Sequence, residues 1–165
     1  MKKGTPLKRH PAFIAFSKDH HFGLMLVWKI RSGLQNAISV ERITHYVLYF
    51  FEEDLRHHFR EEETLIFSKL PKDDSLRIRA EEEHKNIYSI VEGIRQNQHD
   101  KDLLQRFAVM LDDHIRFEER ILFNHLQEKW EPAQLEQILL QTDTRDKDCD
   151  AGWTDKFWIK DREAS

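Results

Sequence analysis

The sequence contains few of the residues that interrupt helices. It has five glycines and four prolines among 165 residues, and its β-branched residues rarely form runs. Glycine and proline end helices, and β-branched runs favour strands, so this composition favours an all-α fold over a sheet. The length is that of one domain with a sizeable core.

Long apolar segments and pairs of cysteines are also missing. No run of about 18 apolar residues exists, which argues against a membrane-spanning helix. The basic N-terminus, MKKGTPLKRHP, is not followed by an apolar segment and is therefore a poor signal peptide. The one cysteine, Cys149, cannot form an intramolecular disulfide and fits a reducing compartment. We therefore expect a cytoplasmic protein with no membrane partner.

A positively charged surface is missing as well. The net charge is -4, and the 26 lysines and arginines are spread along the chain instead of forming a basic stripe. A nucleic-acid partner is therefore not expected. Charged residues make up 34% and hydrophobic residues 39% of the chain, which is typical of a soluble helical protein.

Apolar periodicity and capping residues predict four long helices and one short helix. The predicted helices span about residues 18–37, 40–70, 74–96, 100–130 and 132–140. The residues expected at the N-caps of the second, third and fourth helices are Ser39, Asp73 or Asp74, and Asp100. Short loops between long helices imply antiparallel neighbours, so we predict an up-down-up-down four-helix bundle.

The two ends of the chain are predicted to lie outside this bundle. We expect one domain over residues 1–165, with the bundle over about residues 12–130 and a C-terminal extension over residues 131–165. Residues 1–17 are predicted to form an N-terminal arm. The tail over residues 142–165 is expected to dock on the body through its apolar side chains, which are Trp153, Phe157, Trp158 and Ile159.

Two near copies of one motif contain the residues with the clearest chemical signal. Residues 58–67 read HFREEETLIF and residues 114–123 read HIRFEERILF, so each has a histidine, three residues and two glutamates. The i, i+4 spacing places His58 and Glu62 one turn apart on one helical face, and it does the same for His114 and Glu118.

Both of these faces are predicted to point into the core. Leu65 lies close to His58 in helical phase, and Ile121 lies close to His114. A histidine and a carboxylate are costly to bury in an apolar core unless something pairs with them. Two such pairs at matching positions suggest that the partner is a metal.

Two further histidines complete a layer of the predicted bundle. In an antiparallel pair of helices, residues equidistant from the turn lie at the same height. The midpoints between successive members of the set fall at residues 39, 71 and 99, which are all at predicted turns. The set consists of His20, His58, His84 and His114. We therefore expect the four imidazoles to meet, with Glu62 and Glu118 one turn away.

Six inward-pointing ligands are too many for a tetrahedral zinc site and suit two metal ions bridged by carboxylates. Ferritin-like di-iron bundles use a glutamate-rich set with Glu-x-x-His pairs. The set here is richer in histidine, which favours reversible binding of a small molecule or electron transfer over oxidase chemistry. Without a cation, Glu62 and Glu118 are expected to raise each other's pKa.

These motifs resemble the hemerythrin-like family, also called the HHE cation-binding domain. The resemblance covers about residues 12–130 and is carried by Asp19-His20, HFREE, Glu83-His84 and HIRFEE. It implies a four-helix bundle with two iron ions in a non-haem di-iron centre. The implied ligands are His20, His58, Glu62, His84, His114 and Glu118.

The chain departs from the oxygen carriers of that family at two positions. They have a second histidine one turn after the position of His84, where this chain has Tyr88, and they have aspartate where this chain has Glu118. Both departures resemble bacterial members and argue against stable oxygen storage. They imply an open coordination position or a Tyr88 that reaches the site.

The remaining histidines are predicted to lie outside the site. His21 is the alternative to His20 as the first ligand, but it lies about 100° around the helix from His20, which shares the apolar face of Val27 and Ile30. His57 and Glu61 also have i, i+4 spacing, but their face is polar and is expected to be solvated. The other four, which are predicted at the surface or at the edge of the core, are His10, His45, His99 and His125.

Three functions are compatible with this pattern. The first is a hemerythrin-like protein that binds oxygen, nitric oxide or a related small ligand, or senses redox state. The second is a di-iron redox enzyme that acts on peroxide or nitric oxide or repairs iron centres. The third is a metal-regulated module that binds a protein partner, which the sequence does not identify, through the aromatic side chains of the tail.

Overall fold

In the computed structural model, which describes residues 8–145 and 148–159, the chain forms five helices and these residues contain no strand. Helix α1 is Pro11–Gln35, α3 is Ser75–Gln96 and α5 is Pro132–Gln141. Helix α2 is continuous through Val40–Phe50, Phe51–Leu55, Arg56–Glu61, Glu62–Ile66 and Phe67–Lys69. Helix α4 is continuous through Lys101–Phe117, Glu118–Leu122 and Phe123–Lys129. The all-helical bundle with a short C-terminal helix is confirmed.

Helices α2, α3 and α4 begin at the capping residues that the sequence predicted. Ser39 Oγ accepts a hydrogen bond from the backbone N–H of Arg42 at 3.2 Å, and Asp100 Oδ1 accepts one from that of Leu103 at 3.2 Å. Of the two candidates for α3, the cap is Asp74, whose Oδ1 accepts hydrogen bonds from two N–H groups of the first turn.

Helix α1 begins earlier than predicted, and the assignment of residues 11–17 to an arm is wrong. Pro11 occupies the first turn, where a missing N–H costs nothing, and His10 Nδ1 accepts a hydrogen bond from the N–H of Ala12 at 3.0 Å. Phe13 and Phe16 are buried, so this added turn contributes to the core. Residues 1–7 of the predicted arm lie outside the described residues.

Two apolar clusters lie at different heights in the bundle, with a polar layer between them. One cluster contains Leu26 and Ile30 of α1 together with Phe107 and Leu111 of α4. The other lies towards the opposite end of the same helices and contains Phe13, Phe16 and Phe123, and Ile138 of α5 packs there. The predicted histidine layer falls between the two clusters, where apolar packing on both sides limits access of water.

The described part of the tail, residues 142–145 and 148–159, docks on the body as predicted, but not through all of its apolar residues, and residues 146–147 and 160–165 lie outside the described residues. Phe157 is buried, and Trp153 and Trp158 pack on the ring of Tyr46 with centroid separations of 5.6 and 4.6 Å. Ile159 remains 60% exposed. Within the described part of the chain, no helix has the length and apolar character needed to cross a membrane.

The choice between the two neighbouring aspartates can be tested by mutation. Asp74→Ala removes the acceptor of two N–H groups and should lower the free energy of unfolding by about 1 kcal/mol. Asp73→Ala, at the adjacent exposed position, should change it by less than about 0.5 kcal/mol. Urea unfolding followed by circular dichroism measures both, and equal losses would contradict the cap assignment.

Candidate metal centre

Two π-helical turns position the glutamates of the repeated motif. Helices α2 and α4 each widen into a π turn at the motif glutamate, one over Glu62–Ile66 and the other over Glu118–Leu122. Such turns are rare, and they occur often at functional sites. Here they follow the histidine of each motif by one turn and begin at its buried carboxylate.

The π turns also correct the predicted apolar face. A π turn contains more residues than an α turn, so each residue beyond it is rotated backwards relative to a regular α-helix. The apolar residue after the site is therefore Leu122, which is fully buried, whereas Ile121 is 45% exposed. In α2, likewise, Ile66 is buried and Leu65 only partly buried. The predictions for Leu65 and Ile121 were each wrong by one residue.

All six predicted ligands are brought together in the polar layer, and all are buried. They are His20, His58, Glu62, His84, His114 and Glu118. They come from four helices, and the layer lies at the height that the spacing of the histidines predicted. The structure therefore confirms that the six side chains converge. Their role as metal ligands stays a prediction.

The six side chains form two overlapping groups of four that share both glutamates. His20 and His58 belong to the first group, and His84 and His114 to the second. In each group, the candidate ligand atoms lie within 4.8 Å of one another. Each group therefore has a size and a donor set that could hold a metal ion.

Each shared glutamate contacts histidines from both pairs. Glu62 Oε1 is 3.2 Å from the Nε2 atoms of both His58 and His84. Glu118 Oε1 is 3.0 Å from the Nε2 atoms of both His20 and His114. Both carboxylates therefore lie between the two pairs of histidines.

A second ring of carboxylates contacts the Nδ1 atoms of the histidines. Asp19 is 3.0 Å from Nδ1 of His58, and Glu119 is 3.4 Å from Nδ1 of His20. On the other side, Glu63 is 2.7 Å from Nδ1 of His84, and Glu83 is 2.7 Å from Nδ1 of His114. An Nδ1–H that points at a carboxylate leaves the Nε2 lone pair free to face the centre, as in many metal sites.

The chain order of these outer carboxylates is regular. Each is adjacent in sequence to a candidate ligand and contacts a histidine of a neighbouring helix. Sequence reasoning noted the Asp-His and Glu-His pairs but missed this role for Asp19 and Glu83. The available signal was that each histidine of the layer in α1 and α3 follows an acidic residue.

The electrostatics of the cluster follow from these contacts. Burial lowers the pKa of His58, but the carboxylates of Glu62 and Asp19 outweigh this effect and raise the pKa to about 10. Burial likewise opposes the charged form of His114, and Glu118 and Glu83 raise its pKa to about 9. In the metal-free protein, protons are therefore held on His58 and His114.

The expectation that Glu62 and Glu118 would raise each other's pKa is wrong for Glu62. Burial raises the pKa of Glu62, but His58, His20 and His84 outweigh this effect and hold the pKa well below its usual range. The expectation considered only the second carboxylate and ignored the four imidazoles around it. Glu62 is therefore ionised in the form that a bridging ligand needs.

The cluster also contains buried atoms that a cation would satisfy. Glu62 Oε2 and Glu118 Oε2 have no hydrogen-bond partner in the described part of the chain. The Nε2 atoms of His84 and His114 face each other at 3.0 Å, although carboxylates already contact both Nδ1 atoms. Two lone pairs at that distance need a proton or a metal ion between them, so these residues fit a metal.

Comparison with known families agrees with this geometry. The model of the hemerythrin HHE cation-binding domain matches residues 17–126, which is more than half of the chain. The chain belongs to the hemerythrin HHE family. No curated protein and no solved structure matches the chain. Membership in this family implies that the protein binds metal cations, and the buried histidine–glutamate cluster lies within the matched residues.

The side chain of Tyr88 lies beside the outer carboxylate Glu63. Its hydroxyl donates a hydrogen bond to Glu63 Oε2 at 2.9 Å, and the same oxygen is 2.7 Å from Nδ1 of His84. Burial and the Glu63 carboxylate raise the pKa of Tyr88, so the phenol keeps its proton. In this hemerythrin-family chain, Tyr88 therefore contacts the site through Glu63.

The other histidines lie apart from the cluster. His57 is half exposed, as expected of a solvated face, but Glu61, which lies 2.6 Å from it, has a side chain that is only 13% exposed. His45 and His99 are exposed, and His10 and His125 are partly buried. His21 is exposed. It lines a surface pocket of about 810 Å³ between the first half of α1 and the end of α5, where Leu139 contributes to the lining.

The neighbouring histidines of α1 provide a matched test of the site. His20→Ala removes a buried donor of the first group and should weaken metal binding by at least about tenfold, the scale seen for single groups at metal sites. His21→Ala changes an exposed residue and should leave binding within about twofold of the parent. Competition with a chromophoric chelator measures both constants, and equal losses would contradict the placement of His20.

Metal affinity should rise with pH well beyond the range of an ordinary histidine. His58 and His114 have raised pKa values, about 10 and about 9, and must lose their protons to act as ligands. Metal therefore displaces protons at every pH below about 9, and affinity should increase up to that pH, by about tenfold per unit for each proton displaced. Chelator competition between about pH 6 and pH 9 tests this, and an affinity that levels off at about pH 7 would contradict it.

Proposed function

We propose that this chain is a non-haem di-iron protein that binds oxygen, nitric oxide or a related small ligand, or senses redox state through the same centre. The observation that supports the proposal is the pair of histidine groups sharing Glu62 and Glu118. Two groups with two common carboxylates match two ions that are bridged, whereas two independent sites would need separate carboxylates.

The donor set favours iron. Imidazole suits iron, zinc, copper and nickel, and carboxylates add the harder character that iron accepts. Each group contains two histidines and two shared glutamates, which is four donors. Bridged tetrahedral zinc would leave no position for another ligand, while iron commonly takes more than four. Two iron ions would therefore keep positions open for a small ligand.

The protein's own residues supply the conditions for such binding. Apolar clusters above and below the layer exclude water, and Phe59 stacks on His84 with a centroid distance of 3.9 Å. The outer carboxylates hold the histidines with Nε2 directed inwards. A di-iron centre in this position would exchange electrons with the small ligand, and the bundle would control access and orientation.

A second candidate is a di-iron redox enzyme that acts on peroxide or nitric oxide. The observation that favours it is Tyr88, whose hydroxyl hydrogen-bonds to the carboxylate that contacts His84. A phenol in that position can donate a proton to the network beside the centre. The free thiol of Cys149 is consistent with a reducing compartment such as the cytoplasm for either function.

The number and kind of metal ions test the proposal directly. The chain purified from iron-replete cells should contain about two iron ions, because each of the two groups can hold one. Glu62→Ala removes a shared ligand and should lower the content to about one ion or fewer. Glu61→Ala, at a partly buried residue that pairs with His57 outside the polar layer, is the matched control and should retain two. Elemental analysis gives the content of all three proteins.

Ligand binding and turnover then separate the two candidate functions. Oxygen or nitric oxide added to the reduced protein should change its absorption spectrum in a saturable and reversible way. Sustained consumption of peroxide or nitric oxide would favour the enzyme instead. A parent chain that takes up only one ion after reconstitution would disprove the dinuclear proposal, and two ions without any spectral response would disprove small-ligand binding.

A further inference from the structure

Residues 148–159, which we call the strap, lie across the groove between α1 and α2. Phe157 is the most deeply buried residue of the strap and packs against Gly33 and Ile43. A Cβ atom at Gly33 would lie 2.9 Å from Phe157 Cε2, so the glycine is what allows the ring to approach the helix this closely. At the other edge of the groove, Trp153 packs on the ring of Tyr49 with a centroid distance of 4.7 Å.

A buried ionic cluster fixes the strap to both helices. Lys29 of α1 is only 4% exposed, and its Nζ donates hydrogen bonds to Asp150 at 2.8 Å and to the Tyr46 hydroxyl at 2.9 Å. The Tyr46 hydroxyl in turn donates to Asp150 at 2.6 Å. The Lys29 ammonium also lies 3.9 Å above the ring of Trp158. The strap thus supplies both the counter-ion and the aromatic face for a lysine that α1 buries.

One end of the strap reaches the edge of the candidate metal centre. The thiol of Cys149 is half-buried and hydrogen-bonded to Asp54, which is a buried residue of α2. Burial and the carboxylates of Asp54, Asp150 and Asp19 raise the pKa of this thiol to about 12. Asp54 lies four residues before His58 in α2, and Asp19 is the outer carboxylate that contacts His58. The strap therefore lies beside the side of the centre formed by α1 and α2, which contains the pair His20 and His58.

We propose that the strap is a detachable brace that holds α1 and α2 together and slows the loss of metal from the His20–His58 side of the centre. The proposal rests on the metal-binding part of the proposed function and is independent of the small ligand and of the identity of the metal. The strap contacts described above are with residues of α1 and α2, so release of the strap should affect that side of the centre first.

The Lys29 cluster decides whether the strap is docked. A buried charge that loses its partner is strongly unfavourable, because the attraction that offset its desolvation is gone. Undocking of the strap would leave Lys29 without Asp150 and without the ring of Trp158. Conversely, a chain that lacks Lys29 loses the attraction that holds Asp150 in the groove, and its strap should open more often.

Cys149 is the chain's one cysteine and a native reporter of this opening. In the metal-free protein, Lys29→Ala should raise the rate of thiol labelling by about tenfold or more, since labelling follows the population of locally opened chain. Removal of a cation would by itself raise the pKa of the thiol and slow labelling, so a faster rate reports undocking.

Two further variants serve as a control for the loss of a cation and as an independent test of the strap. Arg31→Ala removes a cation of α1 that forms a surface pair with Asp112, and its labelling rate should stay within about twofold of the parent. Trp158→Ala alters the strap alone and should label faster, like Lys29→Ala, even if the latter fails to fold. If Lys29→Ala or Trp158→Ala folds normally by circular dichroism and Cys149 is labelled at the same rate as in the parent, the proposal that the Lys29 cluster holds the strap in place is overturned.

The coupling to the centre is measured with zinc, whose loss to excess chelator needs no redox chemistry. Lys29→Ala and Trp158→Ala should lose zinc at least about fivefold faster than the parent and Arg31→Ala. By the reciprocity of coupled equilibria, zinc should slow the labelling of Cys149 in the parent. Faster labelling with unchanged zinc loss would overturn the role of the strap in metal retention. A protein that retains zinc in this way but binds neither iron pairs nor small ligands would disprove only the proposed function.

Discussion

The burial of two glutamates and four histidines at the middle of an apolar bundle is the constraint on which the rest of this structure depends. Carboxylates and imidazoles lose strong hydration when they are buried, and the loss must be offset by partners in the same layer. The chain meets that requirement twice: inwards, through the shared glutamates, and outwards, through a carboxylate beside every Nδ1 atom. Apolar clusters can then close over the layer on both sides.

The sequence was sufficient for the fold and for the composition of the polar layer because both depend on spacing. Helix lengths and capping residues determine which residues of antiparallel helices lie at the same height, and this alone brought His20 and His84 to the repeated motifs. The choice of His20 over His21 followed from the apolar face of α1, and the structure buries the former and exposes the latter.

Features that depend on three-dimensional context could not be predicted from the sequence. A π turn has no simple sequence signal, so the rotation that buries Leu122 in place of Ile121 could not be foreseen from a regular period of 3.6 residues. The ionisation of Glu62 depends on three imidazoles from three helices. Helix α1 begins at Pro11 because His10 caps it, and histidine is a much less common N-cap than serine or aspartate.

The regular placement of the outer carboxylates amounts to an approximate two-fold relation between the α1–α2 and α3–α4 halves of the bundle. Acidic residues that precede the histidines in α1 and α3 contact the histidines of α2 and α4, and those that follow the glutamates in α2 and α4 contact the histidines of α3 and α1. Two ions bound here would thus meet the same inner donors. Any inequality between them must be imposed from the periphery, where one half has a phenol beside Glu63 and the other has the strap beside Asp19.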